Sequence, residues 1–293
     1  MTWDVAVAGT LHRDDIVTPH GRRWSLGGSA VYFALAASRY APVHVNGIVG
    51  EDTAAAYESL LRTEDIDVRG VVVSATPTFV WHATHDFERW VTAFEAAEHG
   101  CDPEWRPALG EASRAAPVLF LGSMHPGLQR AVLEQSRARL VGADSMTVFM
   151  QEDREGVRAV VASADVLFLN NEEVELLAGI PDWQQAARSL CARGRLRAVV
   201  VKQGPDGAAL VTASAVHRID AHPVGSVVDP TGAGDALAGG FLGFCAREER
   251  DGEDAYVAAL AEGVRCAAAA VAAFGADGLV ARSTARSQRP ADV

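Results

Sequence analysis

Short apolar runs alternate with longer amphipathic runs along almost the whole chain. Several short runs, such as residues 199–201, are apolar at every position, which is typical of strands covered on both faces. The longer runs predict helices, and the alternation of the two predicts a mostly parallel α/β sheet. The predicted strands are residues 4–8, 43–49, 71–73, 118–121, 140–143, 166–169, 198–201 and 208–211. The predicted helices are residues 30–39, 53–61, 128–139, 172–177, 183–193, 235–247 and 254–274.

One stretch, residues 76–95, interrupts this alternation with aromatic and β-branched residues at an imperfect spacing of two. That spacing predicts a hairpin outside the main sheet, and residues 15–26 are a candidate for a second such piece. Together they predict a small β lid over a site; an ordinary edge hairpin is the alternative. We expect a single α/β domain over residues 1–293, built as a three-layer αβα sandwich with a mostly parallel central sheet. Its lid segments are expected at about 12–26 and 74–97.

Composition narrows the functional classes. The formal net charge of −12 argues against a nucleic-acid or acidic-membrane partner, because either would require a basic face. Lys202 is the single lysine, so the chain has no Walker A loop, which needs a Gly-Lys pair. The four cysteines are widely spaced and form no C-x-x-C pair, which favours reduced thiols in a cytoplasmic protein. Neither a signal peptide nor a membrane-spanning helix is expected.

The most informative segment is residues 229–235, D-P-T-G-A-G-D, which leads into a helix with small and apolar residues. A glycine-rich turn that opens a helix presents free backbone N–H groups and the positive end of the helix dipole to an anion. A carboxylate in the first helical turn, here Asp235, is then positioned to accept a proton from an attacking hydroxyl. An N-capping aspartate after a flexible turn is the alternative interpretation.

Residues 228–241, V-D-P-T-G-A-G-D-A-L-A-G-G-F, resemble the C-terminal signature of the ribokinase-like (PfkB) carbohydrate kinases. The resemblance implies a ribokinase-like fold and ATP-dependent phosphorylation of an alcohol group. It implies that Asp235 is the catalytic base and that the amides of Gly232, Ala233 and Gly234 bind the transferred phosphoryl group. It also makes Asp229 and the Thr231 carbonyl candidate ligands of a monovalent cation such as K⁺, with Thr231 beside the nucleotide.

The N-terminal half matches the same family at several positions. Gly27 and Gly28 form a turn before a helix, as in the family motif that contacts substrate hydroxyls. Asp14 follows the first strand and is the candidate for binding vicinal hydroxyls, since a carboxylate accepts two hydrogen bonds. Tyr32 stands where these kinases commonly have asparagine, so a flatter or bulkier substrate than a simple sugar stays open. Asp144, at the end of a predicted strand, is a further candidate for the substrate cleft.

The nucleotide side is predicted from two more segments. Asn170 and Glu173 match the family's N-x-x-E motif and are the candidates for organising hydrated Mg²⁺, which prefers oxygen ligands. A capping asparagine with a first-turn acid is the alternative, and both interpretations are compatible. Gly204 and Gly207 are predicted to bring backbone close to ATP, with Lys202 facing either phosphate or solvent.

The resemblance implies a kinase for a small polyol-like substrate, with a sugar or sugar derivative as the family default. A nucleoside kinase, an aminocyclitol or aminoglycoside-pathway kinase, and a catalytically silent sugar- or nucleotide-binding regulator are the alternatives. We expect ATP and Mg²⁺ as cofactors and a small molecule as the partner. Exposed aromatic residues on the lid make a homodimer through the lid a further hypothesis.

Overall fold

The computed structural model describes residues 3–62, 65–89, 91–94, 100–192 and 194–283. All the predicted strands are present. The strands are β1 Val5–Ala8, β2 His12–Thr18, β3 Gly21–Gly27, β4 Val43–Gly50, β5 Ile66–Ser74, β6 Val80–Asp86, β7 Val91–Phe94, β8 Val118–Leu121, β9 Leu140–Asp144, β10 Val166–Asn170, β11 Ala198–Lys202, β12 Ala208–Val211 and β13 Val216–Ile219. The α-helices are α1 Ser29–Ala37, α2 Ala54–Leu61, α3 Glu111–Ala115, α4 Pro126–Leu133, α5 Thr147–Glu152, α6 Arg154–Val161, α7 Asn171–Ala178, α8 Trp183–Cys191, α9 Ala233–Glu248, α10 Glu253–Ala270 and α11 Asp277–Ser283.

The large sheet has nine strands in the order β13-β12-β11-β10-β9-β8-β1-β4-β5 within the described residues. In this order, the strands from β11 to β5 pair parallel with one another. At one edge, β12 pairs antiparallel with β11, and β13 pairs antiparallel with β12. Helices cover both faces, which explains why these strands are apolar at consecutive positions. Residues that alternate along one strand, such as Val7 and Ala8 on β1, enter two separate cores. The first core packs the sheet on α1, α2, α9, α10 and α11, and the second packs it on α4 to α8.

A second sheet has four strands in the order β3-β2-β6-β7 and forms the lid. The register sets Asp14 on β2 beside Ser25 on β3 and Trp81 on β6. Since side chains alternate along a strand, these residues and His85 share one face, which we call the inner lid face. Asp15, Trp24 and His82 lie on the opposite, outer lid face. The α/β fold with a small β lid is therefore confirmed. The predicted lid residues 90 and 95–97 lie outside the described part of the chain.

Two helices end earlier than the periodicity predicts. The helix predicted over 128–139 ends at Leu133, because residues further on bond to another segment: the Arg137 and Arg139 N–H groups donate to the carbonyls of Arg114 and Pro117. The helix predicted over 254–274 ends at Ala270, and the Val271 carbonyl accepts from the Val228 N–H at 2.8 Å. Both ends are set by contacts that are distant in sequence, which local periodicity does not report.

Five short elements have no counterpart in the predictions: β13, α3, α5, α6 and α11. The strand predicted over 71–73 is the end of the longer β5, Ile66–Ser74. Within the described residues, no helix is long and apolar enough to cross a membrane.

Candidate active site

Three polar side chains end neighbouring strands of the large sheet. Asp144 ends β9, Asn170 ends β10 and Lys202 ends β11, and the register sets Asn170 directly beside Lys202. Because parallel strands end at the same edge of a sheet, the three side chains meet in one crevice. Open α/β sheets bind their ligands in such a crevice at the carboxyl ends of the strands.

The glycine-rich turn opens helix α9. Gly232 is the N-cap residue with φ 72°, a left-handed conformation that favours glycine, and Ala233 is the first helical residue. A Cβ at Gly232 would lie 2.2 Å from Cγ of Tyr32, so the tyrosine ring packs directly against this backbone. The Ala233 N–H donates to the Pro230 carbonyl at 3.3 Å. The first N–H groups of a helix otherwise lack partners within it, so together with the helix dipole this helix start is a site for an anion.

Asp235 lies in the first turn of α9, and its Oδ1 is buried without a hydrogen-bond partner in the described part of the chain. Burial, and after it the nearby Asp144, raise the pKa of this carboxyl to about 7 against the opposing effect of Lys202. A carboxyl with a pKa near neutrality can accept a proton and release it again at the pH of a cell.

Lys202 is the positive charge among these acids. Its Nζ donates to Oδ2 of Asp144 at 2.8 Å, and its aliphatic chain packs on Gly234. Burial disfavours the charge on Lys202, but Asp144 and Glu173 outweigh burial, so the pKa of Lys202 is raised. The lysine is therefore charged and lies against the third residue of the glycine-rich turn, where it would face a bound anion.

Asn170 and Glu173 form a reciprocal capping box at the start of α7. The Glu173 N–H donates to Oδ1 of Asn170 at 2.9 Å, and the Asn170 N–H donates to Oε2 of Glu173 at 2.8 Å. Burial raises the pKa of Glu173, and with the opposing effect of Lys202 included this pKa is about 7. The capping interpretation is thus correct, and a carboxylate with oxygen available beside Lys202 also fits a hydrated divalent cation.

The two glycines after β11 differ in their surroundings. A Cβ at Gly204 would meet nothing within 4 Å, whereas a Cβ at Gly207 would lie 2.1 Å from the Ile219 carbonyl oxygen. Close packing against β13 accounts for Gly207, and Gly204 borders open space. Only Gly204 is therefore suited by its surroundings to approach a bound ligand.

On the other side of the crevice, Asp14 is 1% exposed, and its Oδ2 has no hydrogen-bond partner among the described residues. Burial and the negative charges of Asp229 and Asp235 raise its pKa well above the usual range, and the nearby Tyr32 hydroxyl opposes the change. A Cβ at Gly27 would lie 1.8 Å from Asp14 Oδ2, so the Gly27–Gly28 turn closely approaches this carboxyl. Tyr32 presents only its hydroxyl here, which is also buried and without a partner in the described chain.

Asp14 Oδ2, Tyr32 Oη and Asp235 Oδ1 are therefore three buried oxygens without partners in one acidic cluster. Their mutual influence on pKa shows that they are close: Asp235 raises the pKa of Asp14, and both acids raise that of Tyr32. Buried polar atoms are rarely left without hydrogen bonds, so such a cluster indicates a place for a polar ligand. In the sequence analysis, Tyr32 in place of asparagine kept a flatter or bulkier substrate open; in the structure its ring packs against Gly232 and its hydroxyl belongs to this cluster.

The inner lid face contributes two residues to which the sequence analysis gave no role. Trp81 lies beside Asp14 on the neighbouring strand. His85 is 7% exposed, and its Nε2 lies 2.9 Å from Oγ1 of Thr231. Alternation along β6 predicts that the side chains of His82 and His85 point to opposite faces of the strand. The contact between His85 and Thr231 is visible only in the folded structure. The described residues contain no cluster of His, Cys, Asp or Glu that could hold a metal ion by itself.

Asp229 is 1% exposed, and its carboxyl joins the turn to the segment that follows α10. Its Oδ1 accepts from the Thr231 N–H and its Oδ2 from the Gly275 N–H, both at 2.9 Å. His85 Nε2 is 3.8 Å from Asp229 Oδ1, and burial lowers the pKa of that histidine while Asp229 opposes the change. Among the described residues, this buried acid is hydrogen-bonded by two backbone N–H groups, and a monovalent cation fits beside it because the cation would supply a full positive charge.

The model of the pfkB family carbohydrate kinases matches residues 3–281, and the chain belongs to this family. A cytidine kinase of Thermococcus kodakarensis is 27% identical over 250 residues, 82% of this chain and 87% of that protein. A fructokinase of Klebsiella pneumoniae is 34% identical over 127 residues, 43% of this chain and 41% of that protein. The adenosine kinase structure from Sinorhizobium meliloti has a TM-score of 0.79 at 16% identity, covering 98% of this chain and 100% of that one, which shows a common fold.

The chain is thus an ATP-dependent phosphotransferase that acts on a hydroxyl of a small sugar or nucleoside. Phosphoryl transfer needs an anion site, a base and positive charge near the phosphates. The crevice contains a candidate for each of these three requirements.

Proposed function

We propose that the acceptor is a nucleoside and that the chain phosphorylates a hydroxyl of its ribose. The observation that carries this proposal is the position of Trp81 beside Asp14 on the inner lid face. A carboxylate next to an indole suits a substrate with vicinal hydroxyls joined to a flat ring, because bases stack on aromatic side chains. The similarity to a cytidine kinase over most of both chains supports the same choice.

The proposed roles follow from the contacts. Asp14 accepts hydrogen bonds from the ribose hydroxyls, with Gly27, Gly28 and the Tyr32 hydroxyl around them. Asp235 takes the proton from the attacking hydroxyl. The amides of Gly232, Ala233 and Gly234 hold the oxygens of the transferred phosphoryl group, where negative charge is stabilised most effectively by fixed donors.

The nucleotide is proposed to lie across the ends of β9 to β11, beside Lys202, Gly204 and Thr231. Asn170 and Glu173 would bind Mg²⁺ through water, and Asp229 with the Thr231 carbonyl would bind a monovalent cation such as K⁺. These cations, when bound, neutralise phosphate charge and the buried Asp229 carboxylate. Asp144 has a different task in this proposal: it holds Lys202 at 2.8 Å, at the border between acceptor and nucleotide.

The experiment is a turnover assay with ATP over a panel of nucleosides, sugars and aminocyclitols. We expect the highest kcat/KM with a nucleoside. Trp81→Ala should raise the KM for that nucleoside about fivefold to 150-fold, since stacking contributes about 1–3 kcal/mol per base. The matched control is Trp24→Ala, which removes the same side chain from the outer lid face and should leave the KM unchanged.

A sugar that turns over faster than every nucleoside would refute the proposal and support the second candidate, a sugar kinase. The similarity to a fructokinase favours that candidate. If an aminocyclitol is the preferred acceptor, the acidic cluster around Asp14 binds a cationic substrate instead. Binding without turnover across the whole panel would indicate the catalytically silent regulator.

We also propose that two copies pair through the outer lid face, where Trp24 is 49% exposed. Large exposed aromatic residues are common at protein interfaces. Light scattering during gel filtration should give twice the chain mass for the wild type and the monomer mass for Trp24→Arg. A monomeric wild type would contradict this. The need for ATP makes the cytoplasm the proposed location.

A further inference from the structure

We propose that His85 is a positioning residue that connects the acceptor-binding lid to the phosphoryl-binding turn. The inference rests on the proposed roles of Trp81 and of the Gly232–Gly234 amides. It adds that acceptor binding at Trp81 affects the position of those amides. His85 contacts neither the acceptor nor the reacting atoms in this arrangement. It acts through Thr231, the residue immediately before the turn.

The lid strand carries both ends of the connection. Trp81 and His85 lie on the inner lid face of β6, four residues apart, and therefore about 13 Å along the strand. Trp81 is beside Asp14, where the acceptor is proposed to bind. His85 reaches the main domain, so a shift of β6 caused by the acceptor would be felt at Thr231.

Both nitrogens of His85 have partners. Nε2 lies 2.9 Å from Oγ1 of Thr231, and Nδ1 lies 2.9 Å from Oγ1 of Thr92 on β7. A hydroxyl can either donate or accept, so one tautomer of a neutral imidazole satisfies both contacts. With both nitrogens occupied and the ring 7% exposed, His85 has no free position for proton transfer to a substrate.

Thr231 is fixed from two directions. Its N–H donates to Asp229 Oδ1 at 2.9 Å, and its hydroxyl bonds to His85. The next residue, Gly232, is the N-cap of α9, and its peptide orientation follows from the position of Thr231. If the bond from His85 is lost, Thr231 keeps its N–H bond to Asp229 within the turn. The amides that receive the phosphoryl group are then no longer connected to the lid through Thr231.

A double-mutant cycle on kcat tests this connection. We expect His85→Ala and Thr231→Val each to lower kcat about tenfold to 100-fold, since a displacement of about 1 Å at a reacting group has effects of this size. The double variant should be no slower than the slower single variant, because both changes remove one interaction. His85→Gln, whose amide nitrogen can take the place of Nε2 toward the Thr231 hydroxyl, and Thr231→Ser, which keeps the hydroxyl, should each recover part of the rate.

Two measurements separate positioning from a loss of binding or folding. The dissociation constants of the acceptor and of a non-hydrolysable ATP analogue, measured separately by calorimetry, should change less than about threefold in His85→Ala, because the role concerns the transition state. The control is His82→Ala, on the same strand but bonded to Asp15 on the outer lid face, and its effect should simply add to that of Thr231→Val.

Multiplicative losses of kcat in the His85 and Thr231 double variant would overturn the inference, and so would a His85→Ala enzyme with wild-type kcat. If His85→Ala does not fold, the cycle is run with His85→Asn, whose amide matches Nδ1 but is too short to reach the Thr231 hydroxyl, and with Thr231→Val. Independent effects overturn the inference in the same way. These results require a wild type that turns over a nucleoside. A wild type that prefers another acceptor refutes the proposed substrate instead, and the cycle is then measured with that acceptor.

Discussion

Replacement of Gly232 by alanine tests the phosphoryl-binding turn most directly, because a side chain at this position is disfavoured for two independent reasons. The left-handed conformation at φ 72° costs an L-residue about 1–2 kcal/mol. The added Cβ would also lie 2.2–2.3 Å from three ring atoms of Tyr32, which is 1% exposed and cannot move freely. Overpacking of this kind costs about 1–3 kcal/mol.

The two terms together predict a loss of about 2–5 kcal/mol in stability if the turn keeps its geometry. Movement of the turn would relieve this strain, but it would also displace the amides of residues 232–234. Removing one donor of an oxyanion site lowers kcat about 10²- to 10³-fold, so we expect a fall of that size. The assay measures kcat and KM for ATP and acceptor, together with thermal unfolding.

The matched control is Gly225→Ala, in the loop before the turn, where a Cβ would meet nothing within 4 Å and φ is not positive. This variant should keep both kcat and unfolding temperature. In a Tyr32→Ala background, the further loss of stability caused by Gly232→Ala should be smaller than in the wild type, because the ring contact is already removed. A Gly232→Ala enzyme with wild-type kcat and unfolding temperature would show that the turn does not bind the phosphoryl group in this geometry.

Two further predictions concern the base. Asp235→Asn should lower kcat about 10²- to 10⁴-fold while ATP binding, measured by calorimetry, is preserved, and Asp254→Asn on the exposed surface should have no effect; near-normal turnover of Asp235→Asn would disprove its role. Because the base works only when ionised and its pKa is about 7, kcat/KM should fall as the pH drops below about 7. Lys202→Met removes a charge that holds this pKa down, so the same fall should begin at a higher pH; a shift toward lower pH would show that Lys202 does not act on Asp235.

The sequence predicted the main sheet well, because its strands are short, apolar and separated by clear helical runs. The lid was predicted from the aromatic and β-branched residues of 76–95, which break the alternation. The ends of α4 and α10 were not predictable, since bonds from Arg137 to Arg114 and from Val228 to Val271 determine where those helices stop. Such bonds join segments that lie far apart in sequence.

For the site, local patterns identified the turn at 229–235 and the strand-end residues, because each lies within a recognisable short motif. The chain order did not reveal which residues meet. The contact of His85 with Thr231 joins residues 146 positions apart, and the Asp229 carboxylate binds the N–H of Gly275, 46 positions away. Tyr32 shows the same limit: its replacement of the usual asparagine was visible in the sequence, but its packing under Gly232 was not.

The single lysine of the chain gives this enzyme a property of practical use. Apart from the α-amino group, Lys202 is the one amine that acylating reagents can modify, and it lies in the crevice with its side chain 21% exposed. Since its pKa is raised, it should react slowly at neutral pH and faster in alkaline solution. Mass spectrometry of one peptide could therefore follow occupancy of the crevice without knowledge of the acceptor, because a ligand that covers Lys202 would protect it from the label.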